Sequence, residues 1–349
     1  STHATFPRLA RLLAPVTPED FSTRYWEREH LRVPRADRGA EGDAAPVTLA
    51  EVDAILTSRP HYHPNVALTD AVRQVAEDEY TDDTGVIDPI RAFKRFAAGG
   101  TFIINRIDEY APRVRELCSS MEAELGIHVQ ANMYLTPPRA QGFPIHYDNH
   151  DVIIVQCEGR KAWRLYDKPV DTPFRGEEFQ RSVHKTGELK QEFVLKAGDC
   201  AYVPRGLMHD ASASGEGPSL HVTVGLITRT WADLMLEAIS EAALRTPDAR
   251  RSLPAGYANS GFDREPWRAY LRKLALTLAN DVALDPALDL IGDGFIRSRA
   301  ADNRFAVRDA ALGVRSDEKL RRHPFAPHRL AEDGDKLVLI APGGELTYP

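Results

Sequence analysis

The chain has 349 residues, of which 43% are hydrophobic and 27% are charged, a composition that is ordinary for a globular protein with a sizeable core. Its formal net charge of −7 argues against non-specific binding of nucleic acid and favours a basic partner, such as a cationic peptide. Three cysteines without a CxxC pair argue against a disulfide scaffold or a zinc ribbon, and the absence of a membrane-length apolar run or a signal-peptide pattern fits a cytoplasmic location.

The first 60 residues indicate short helices joined by loops. Thr17 before Pro18 predicts the capped start of one helix, because a hydroxyl accepts a free backbone N–H there and proline suits the first helical position. Thr48 caps a second short helix that extends to Leu56. The stretch 36–46 is rich in Gly, Ala and Asp and predicts an exposed loop.

The next 65 residues contain two features that could bind a ligand. The pair His61 and His63 has the spacing of metal ligands on a strand, but the flanking prolines favour a loop. The acidic run 77–83 favours a solvated loop and could also be a rim that meets a basic substrate. Residues 66–105 alternate weakly and end in a predicted strand at 101–104, and 109–125 carry helical spacing.

Between residues 129 and 228 the pattern changes to short apolar runs separated by Gly and Pro turns. This spacing is typical of an all-β barrel or a double-sheet roll of the cupin kind, whose mouth is a natural place for a metal on rigid strands. The predicted strands are Val129–Leu135, Val152–Cys157, Ala162–Tyr166, Glu192–Leu195, Ala201–Val203 and His221–Ile227.

After Thr228 the pattern becomes helical, with three predicted helices at 231–242, 267–278 and 287–299. Trp231, Leu234, Ala238 and Ala242 mark one face of the first helix. A separate helical region of this size is typical of a dimer interface, and a plain structural cap is nearly as good an interpretation. The stretch 336–348 contains two strand-like runs around Pro-Gly-Gly and predicts a wing-like hairpin.

Two histidines and one carboxylate stand out as candidate metal ligands. His146 and Asp148 are two residues apart, so on a strand their side chains point to the same face. The turn 204–206 leads out of a predicted strand towards His209 and could place a third ligand opposite them, while Gly198-Asp199 predicts the preceding hairpin turn. His146, Asp148 and His209 in this order suggest a facial triad for non-haem iron(II), which leaves coordination positions open.

Lys161 is the next residue that needs an explanation. On a strand it shares a face with Trp163, and an ammonium buried beside an indole needs an anionic partner. The remote carboxylate of 2-oxoglutarate would be such a partner, and a surface lysine at a bent strand end is an equally good interpretation. His221 alternates with Thr223 and is interpreted as a core or supporting residue rather than a ligand.

With these motifs in view, the chain resembles the JmjC-type ribosomal oxygenases and their bacterial cupin-like relatives. The resemblance is strongest across about 90 to 230. The runs that carry it are Asn132–Pro137, His146–Asp148, Gly159–Tyr166 and Gly198–His209, with Gly99–Thr101 and Phe21–Trp26 in support.

This resemblance implies an α+β protein with a double-stranded β-helix core. The implied domains are a cupin-like catalytic domain with N-terminal helices at 1–230, a helical dimerisation domain at 231–312, and a truncated or reduced winged-helix-like segment at 313–349 that would end in a β hairpin. Members of the family carry a full winged-helix-like domain after the helical region, and this chain has only the beginning of one.

The resemblance also implies an Fe(II)-, 2-oxoglutarate- and O2-dependent hydroxylase that acts on side chains of proteins or peptides. By position, His146, Asp148 and His209 would bind iron, and Lys161 would bind the remote carboxylate of 2-oxoglutarate. The other residues implied to line the cosubstrate pocket are Asn132, Tyr134 and Thr223. The implied partners are a protein or peptide substrate and a second copy of the chain, with no nucleic acid and no membrane.

Three other functions remain open at this point. One is a tailoring hydroxylase of a ribosomally made precursor peptide or a small molecule, which the gene neighbourhood or a co-purifying modified peptide would distinguish. The second is a non-catalytic binding protein, which would be expected to lack a ligand or the lysine. The third is a cupin enzyme without a cosubstrate, against which Lys161 and the spacing to His209 argue.

Overall fold

A computed structural model describes residues 6–38, 45–300, 306–313, 315, 317–319, 323 and 325–349. The chain forms two compact units, the first ending at Thr228 and the second beginning at Arg229. The three-part division implied from the sequence stays a prediction.

Within the described residues, the first unit contains six α-helices, four of them before residue 60. They are α1 Pro7–Leu13, α2 Pro18–Asp20, α3 Arg35–Arg38, α4 Leu49–Ser58, α5 Pro89–Ala97 and α6 Pro112–Leu125. The caps at Thr17 and Thr48 are confirmed, because each hydroxyl accepts the backbone N–H three residues further on. The chain continues from α2 into one π-helical turn, Phe21–Tyr25.

One prediction for this region was partly wrong, and one helix was missed. The predicted loop 36–46 begins inside helix α3, and its residues 39–44 lie outside the described residues. The weak alternation over 66–105 concealed helix α5. Its start could have been recognised, because Asp88 precedes Pro89 and its carboxylate accepts the N–H groups of Ile90 and Arg91.

Ten strands of the first unit form two antiparallel sheets. They are β1 Leu31–Val33, β2 Val66–Thr69, β3 Thr101–Ile104, β4 His128–Thr136, β5 Asp151–Glu158, β6 Arg160–Leu165, β7 Gln191–Lys196, β8 Cys200–Val203, β9 His209–Ala213 and β10 Ser219–Ile227. The large sheet has the order β1-β8-β5-β10-β4-β3-β2, and the small sheet has the order β7-β6-β9. All six strands predicted between 129 and 228 are confirmed, whereas β9 was missed because its sequence has no apolar alternation.

The two sheets pack face to face as a double-stranded β-helix. Val152 and Ile154 of β5 contact Trp163 of β6 and Phe193 of β7 in one core cluster. The alternate residue Ile153 belongs to a second core, which includes residues of α1, α4 and α6. Both faces of β5 are therefore buried, which explains why its sequence is a continuous apolar run.

The turn at Gly198-Asp199 is a correction to the predicted hairpin. It connects β7 to β8, and these strands belong to different sheets, so the turn is a corner between the sheets. Both carboxylate oxygens of Asp199 are used there, because they accept the N–H groups of Arg35 and Lys196. A hairpin was predicted because a Gly-Asp pair between two strands has the same local pattern whether the strands pair with each other or belong to different sheets.

The second unit has four helices and one three-stranded sheet. They are α7 Trp231–Arg245, α8 Glu265–Asp281, α9 Leu284–Arg297, α10 Ala306–Leu312, β11 Arg329–Asp333, β12 Lys336–Ala341 and β13 Gly344–Tyr348. Leu234 and Ala238 of α7 pack with Ala287 of α9. Trp231 does not share this packing, because it stands at the first position of α7 and is 76% exposed. The predicted hairpin has a third strand, β11, whose sequence lacks a strand pattern.

The cysteines Cys118, Cys157 and Cys200 are all buried, and none forms a disulfide within the described residues. For Cys157 and Cys200 this burial agrees with the expected core thiols. Within the described ranges, no helix has the length and apolar character needed to cross a membrane.

Candidate metal centre

His146, Asp148 and His209 come together at one point of the first unit, on the chain segments that enter β5 and β9. One potential ligand atom from each lies within 4.8 Å of the others. The Asp148 carboxylate is 3.7 Å from the Nε2 atoms of both His146 and His209. The segment that carries His146 and Asp148 is not a regular strand, as the sequence pattern suggested. It forms an isolated bridge in which the backbone N–H groups of His146 and His209 donate to each other's C=O groups, at 3.1 and 2.7 Å.

The imidazoles are oriented by backbone carbonyls. Nδ1 of His146 lies 2.9 Å from the carbonyl oxygen of Pro144, and Nδ1 of His209 lies 2.9 Å from that of Leu207. A carbonyl only accepts, so both Nδ1 atoms carry the proton and both Nε2 lone pairs are free to bind a cation near Asp148.

The electrostatics of the three residues also suit a metal. Burial, and then the neighbouring His146, hold the pKa of His209 below its usual value, so this imidazole is neutral near pH 7. Burial alone would raise the pKa of Asp148, but the neighbouring His146, His209 and His150 together outweigh it and hold the pKa below its usual value. A carboxylate with two imidazoles is a donor set that fits a facial site for non-haem iron(II).

A cavity of about 240 Å³ lies between the two sheets and includes these three residues. Six of the seven residues singled out from the sequence line it, namely His146, Asp148, His209, Lys161, Tyr134 and Thr223. The seventh, Asn132, does not line it, and its Oδ1 accepts the backbone N–H of Arg106 at 3.0 Å. Tyr134 is a neutral phenol, because burial raises its pKa to about 12.

Lys161 is buried in the cavity wall, which excludes the interpretation as a surface lysine. It lies on β6 with its side chain on the same buried face as Trp163, and it is 4% exposed. Its Nζ donates to Thr136 Oγ1 at 3.2 Å and to His221 Nδ1 at 3.3 Å. Among the described residues, no carboxylate lies within ion-pair distance of it, and burial lowers its pKa to about 7.

His221 supports the lysine rather than the metal triad. Burial, and then the adjacent Lys161, hold the pKa of His221 well below its usual value, so the ring is neutral and its Nδ1 accepts from the ammonium. The ring also stacks on Tyr134, with 4.9 Å between ring centroids. The interpretation as a supporting residue agrees with this geometry.

Two threonines near the lysine were missed. Thr136 shares a strand face with Tyr134, so the alternation of β4 could have identified it. Thr101 donates to Thr136 Oγ1 at 3.1 Å and lines the cavity. It could not be predicted without the register between β3 and β4, which joins residues more than thirty positions apart.

The histidine pair near residue 60 is not a metal site. Nε2 of His61 lies 2.6 Å from the carbonyl oxygen of Ile55, and Nδ1 of His63 lies 3.0 Å from the Tyr80 hydroxyl. The interpretation as a loop is therefore confirmed.

The family model that matches this chain is described as a JmjC domain, and it covers residues 104–234. Ribosomal oxygenase 1 of Gallus gallus is 31% identical over 82% of the chain and 50% of its own length. The protein named bifunctional lysine-specific demethylase and histidyl-hydroxylase NO66 of Drosophila grimshawi is 31% identical over 71% of the chain and 35% of its own length. Ribosomal oxygenase 2 of Bos taurus is 27% identical over 96% of the chain and 67% of its own length. The chain thus spans about a third to a half of the first two relatives.

Among solved structures, the chain is similar to the ribosomal oxygenase YcfD of Escherichia coli. The TM-score is 0.54 with 15% identity, and the match covers 96% of this chain and 86% of that one. One of these structures is a complex with cobalt and 2-oxoglutarate, with the same TM-score and coverage. At this identity the likeness establishes the fold, which is the double-stranded β-helix expected from the sequence.

Proposed function

The chain belongs to the JmjC-domain proteins related to the ribosomal oxygenases, and from this premise we propose that it is an Fe(II)- and 2-oxoglutarate-dependent dioxygenase. Its reaction would be hydroxylation of a side chain of a protein or peptide. The observation that carries the proposal is the composition of one cavity. It contains a two-histidine, one-carboxylate triad together with Lys161, a buried lysine that has no carboxylate within ion-pair distance in the described part of the chain. A dicarboxylate cosubstrate can bind a metal at one end and a lysine at the other.

The residues of the cavity have distinct roles in this proposal. His146, Asp148 and His209 would hold iron(II), and Lys161 would bind the far carboxylate of 2-oxoglutarate. Thr136 and His221 orient the ammonium, because they accept two of its three protons. When bound, iron(II) and 2-oxoglutarate supply the oxidising chemistry that uses O2 to convert C–H into C–OH, with succinate and CO2 as by-products.

The two sheets would keep water away from the reacting atoms. Val152, Ile154 and Trp163 contribute apolar surface to the cavity wall, and Tyr134 is a neutral phenol there. Asn132 lies outside the wall beside Tyr134, so we assign it a supporting role. Thr223 lines the cavity from β10 and would contact the cosubstrate with its hydroxyl.

The first test is succinate release by the purified protein with Fe(II), 2-oxoglutarate, ascorbate and air. We expect slow turnover without substrate that His146→Ala and Lys161→Ala abolish. A parallel anaerobic titration of the Fe(II) protein with 2-oxoglutarate should give the absorption band of a metal-bound 2-oxo acid. Absence of both turnover and binding would refute the oxygenase function and favour a non-catalytic binding protein.

We propose that the macromolecular substrate is basic, in keeping with the net charge of −7. The acidic run begins with the short 3-10 helix Glu77–Glu79, and Glu77, Asp78, Asp82 and Asp83 are exposed. The relatives named ribosomal oxygenases point to ribosomal proteins as the source of the first peptides to test. Mass spectrometry would then detect the gain of one oxygen, and the KM for the peptide should rise with salt and with Asp78→Asn/Asp83→Asn.

We also propose that the chain forms a homodimer through residues 231–312 and that residues 313–349 are a winged-helix-like segment. Support comes from α8, whose seventeen residues are all described and none of which is buried, although they include Trp267, Leu271 and Leu274. The proposed compartment is the cytoplasm, which is compatible with three cysteines that form no disulfide within the described residues.

A further inference from the structure

The loop between β8 and β9 contacts both segments that carry the metal triad. The backbone N–H of Gly206 donates to the carbonyl oxygen of Asp148 at 2.9 Å. The carbonyl oxygen of Leu207 accepts from Nδ1 of His209, also at 2.9 Å. The position of this loop therefore decides where the Asp148 backbone lies and how the His209 ring is turned.

Arg205 holds this loop in place through two carboxylates. Its side chain is buried, and its Nη1 donates to Asp151 Oδ2 at 2.9 Å and to Glu27 Oε1 at 2.6 Å. Asp151 is the first residue of β5, three positions after Asp148, and it is completely buried. The ion pair of Arg205 and Asp151 therefore links the loop that supports His209 to the strand that follows Asp148.

The carboxylate of Asp151 is fully engaged. Its Oδ1 accepts from the Tyr202 hydroxyl at 2.6 Å and from the backbone N–H of Arg205 at 3.3 Å. The Tyr202 oxygen in turn accepts the backbone N–H of Glu27 at 2.8 Å. Such a buried, charged and hydrogen-bonded group has one low-energy arrangement. It therefore defines the positions of the loop and of the start of β5 more sharply than apolar packing does.

The loop also has little freedom to move elsewhere. Gly206 has a φ of +84°, and a Cβ at this position would lie 2.2 Å from the carbonyl oxygen of Val170. Only glycine allows this close approach. The loop is therefore held on one side by Arg205 and on the other by residues 170–173.

We propose that Arg205 and Asp151 are positioning residues that set the distance between Asp148 and His209, and hence the affinity of the triad for its metal. The inference rests on the proposed function only in taking the triad as a metal site. It predicts a role for two residues that lie outside the cavity and touch neither metal nor cosubstrate.

The test uses Co(II) alone as the probe, titrated into the metal-free 349-residue protein without 2-oxoglutarate. We expect Arg205→Met to raise the Kd for Co(II) about tenfold or more, which is the usual range for residues that orient metal ligands. The visible absorption bands of bound Co(II) should also change, because they report the coordination geometry. Arg205→Lys should recover part of the affinity, since it restores the charge without the planar guanidinium.

A double variant separates positioning from folding. Arg205→Met leaves the Asp151 charge buried and unpaired, which destabilises the fold, and Arg205→Met/Asp151→Asn removes that charge and should recover most of the Tm. The proposal requires the double variant to keep the weakened Co(II) binding despite its recovered stability. Recovery of wild-type affinity together with Tm would overturn it.

Arg329→Met is the matched control. Arg329 forms a two-pronged pair with Asp293 in the second unit, with distances of 2.7 and 2.6 Å. Its loss should lower Tm and leave Co(II) binding and spectrum unchanged. A wild-type protein that binds no Co(II) would refute the triad itself, and with it both proposals, whereas equal binding by wild type and Arg205→Met refutes only this one.

Discussion

At the scale of single residues, Lys161 is the side chain whose placement conflicts most with stability. A lysine at 4% exposure, held by a hydroxyl and an imidazole, loses hydration that neutral partners replace only in part. Its pKa of about 7 expresses that cost. The unfolded chain binds a proton at this side chain up to a pH near 10.4. The free energy of unfolding should therefore rise as pH increases from about 7 to 10.

Lys161→Met should therefore stabilise the ligand-free protein while abolishing succinate formation. We expect a gain of roughly 2–4 kcal/mol near pH 7, because the variant removes a buried charge and keeps an unbranched chain of similar volume. The gain should shrink at pH 9, where the wild-type lysine is already neutral in the folded state. Urea unfolding at both pH values measures the stability gain. A variant less stable than the wild type at pH 7 would contradict the conclusion that the buried lysine destabilises the fold.

Binding of 2-oxoglutarate should take up a proton above pH 7. The carboxylate binds the ammonium form of Lys161, so at pH 8 a lysine with a pKa of about 7 must first gain nearly one proton. The affinity for 2-oxoglutarate should fall by up to about tenfold for each pH unit above 7. Anaerobic calorimetry in two buffers of different ionisation enthalpy would measure the uptake. Lys161→Arg, which stays charged, should abolish it.

At the scale of elements, the cavity exists because the chain passes repeatedly between two sheets at sharp corners. Gly159 makes one such corner, from β5 of the large sheet to β6 of the small sheet. Its φ is +69°, and a Cβ there would lie 2.1 Å from the carbonyl oxygen of Pro218. This corner places Lys161 on the inner face of β6 two residues later.

Gly159→Ala should lower the free energy of unfolding by roughly 2–4 kcal/mol, because the methyl group meets backbone that cannot move aside. Gly126→Ala is the matched control. Gly126 has a similar φ of +64°, ends α6, and has no atom within 4 Å of an added Cβ, so only the conformational cost of about 1 kcal/mol remains. Equal losses in the two variants would show that the clash at the corner is relieved.

The sequence allowed the six strands and the candidate ligands to be predicted, because strand alternation and motif spacing are local properties. The contact between Lys161 and Thr136 depends on how sheets pair and pack, so no local pattern contains it. For the same reason the Gly198-Asp199 corner was predicted as a hairpin, since a turn that joins two sheets looks like a hairpin turn in sequence. Asn132 was selected by resemblance alone, and its amide lies outside the cavity wall.

At the scale of the whole molecule, the second unit presents a large apolar surface. On α7 and α8, Leu236 is 70% exposed and Leu271 is 66% exposed. Large exposed apolar side chains are common at protein interfaces, and they are the reason why we propose a dimer rather than a structural cap.

We expect light scattering after gel filtration to give twice the chain mass, and Leu271→Glu to shift the protein towards the monomer. A charge at the centre of an apolar interface costs several kcal/mol if it stays unpaired. Val72→Glu is the control, because Val72 is 93% exposed in the first unit and should leave the mass unchanged. A wild-type monomer at micromolar concentration would exclude the dimer.

The reciprocal backbone bonds between His146 and His209 bear on the order in which the protein matures. These two bonds, and the carbonyls that hold both rings, belong to the polypeptide itself. The chelating geometry is therefore a product of folding rather than a condition for it, unlike that of zinc fingers, which are unfolded without metal. Chain synthesis and metal acquisition are then separable events. We therefore expect that a chelator removes the metal from the folded protein and that added metal restores it without new synthesis.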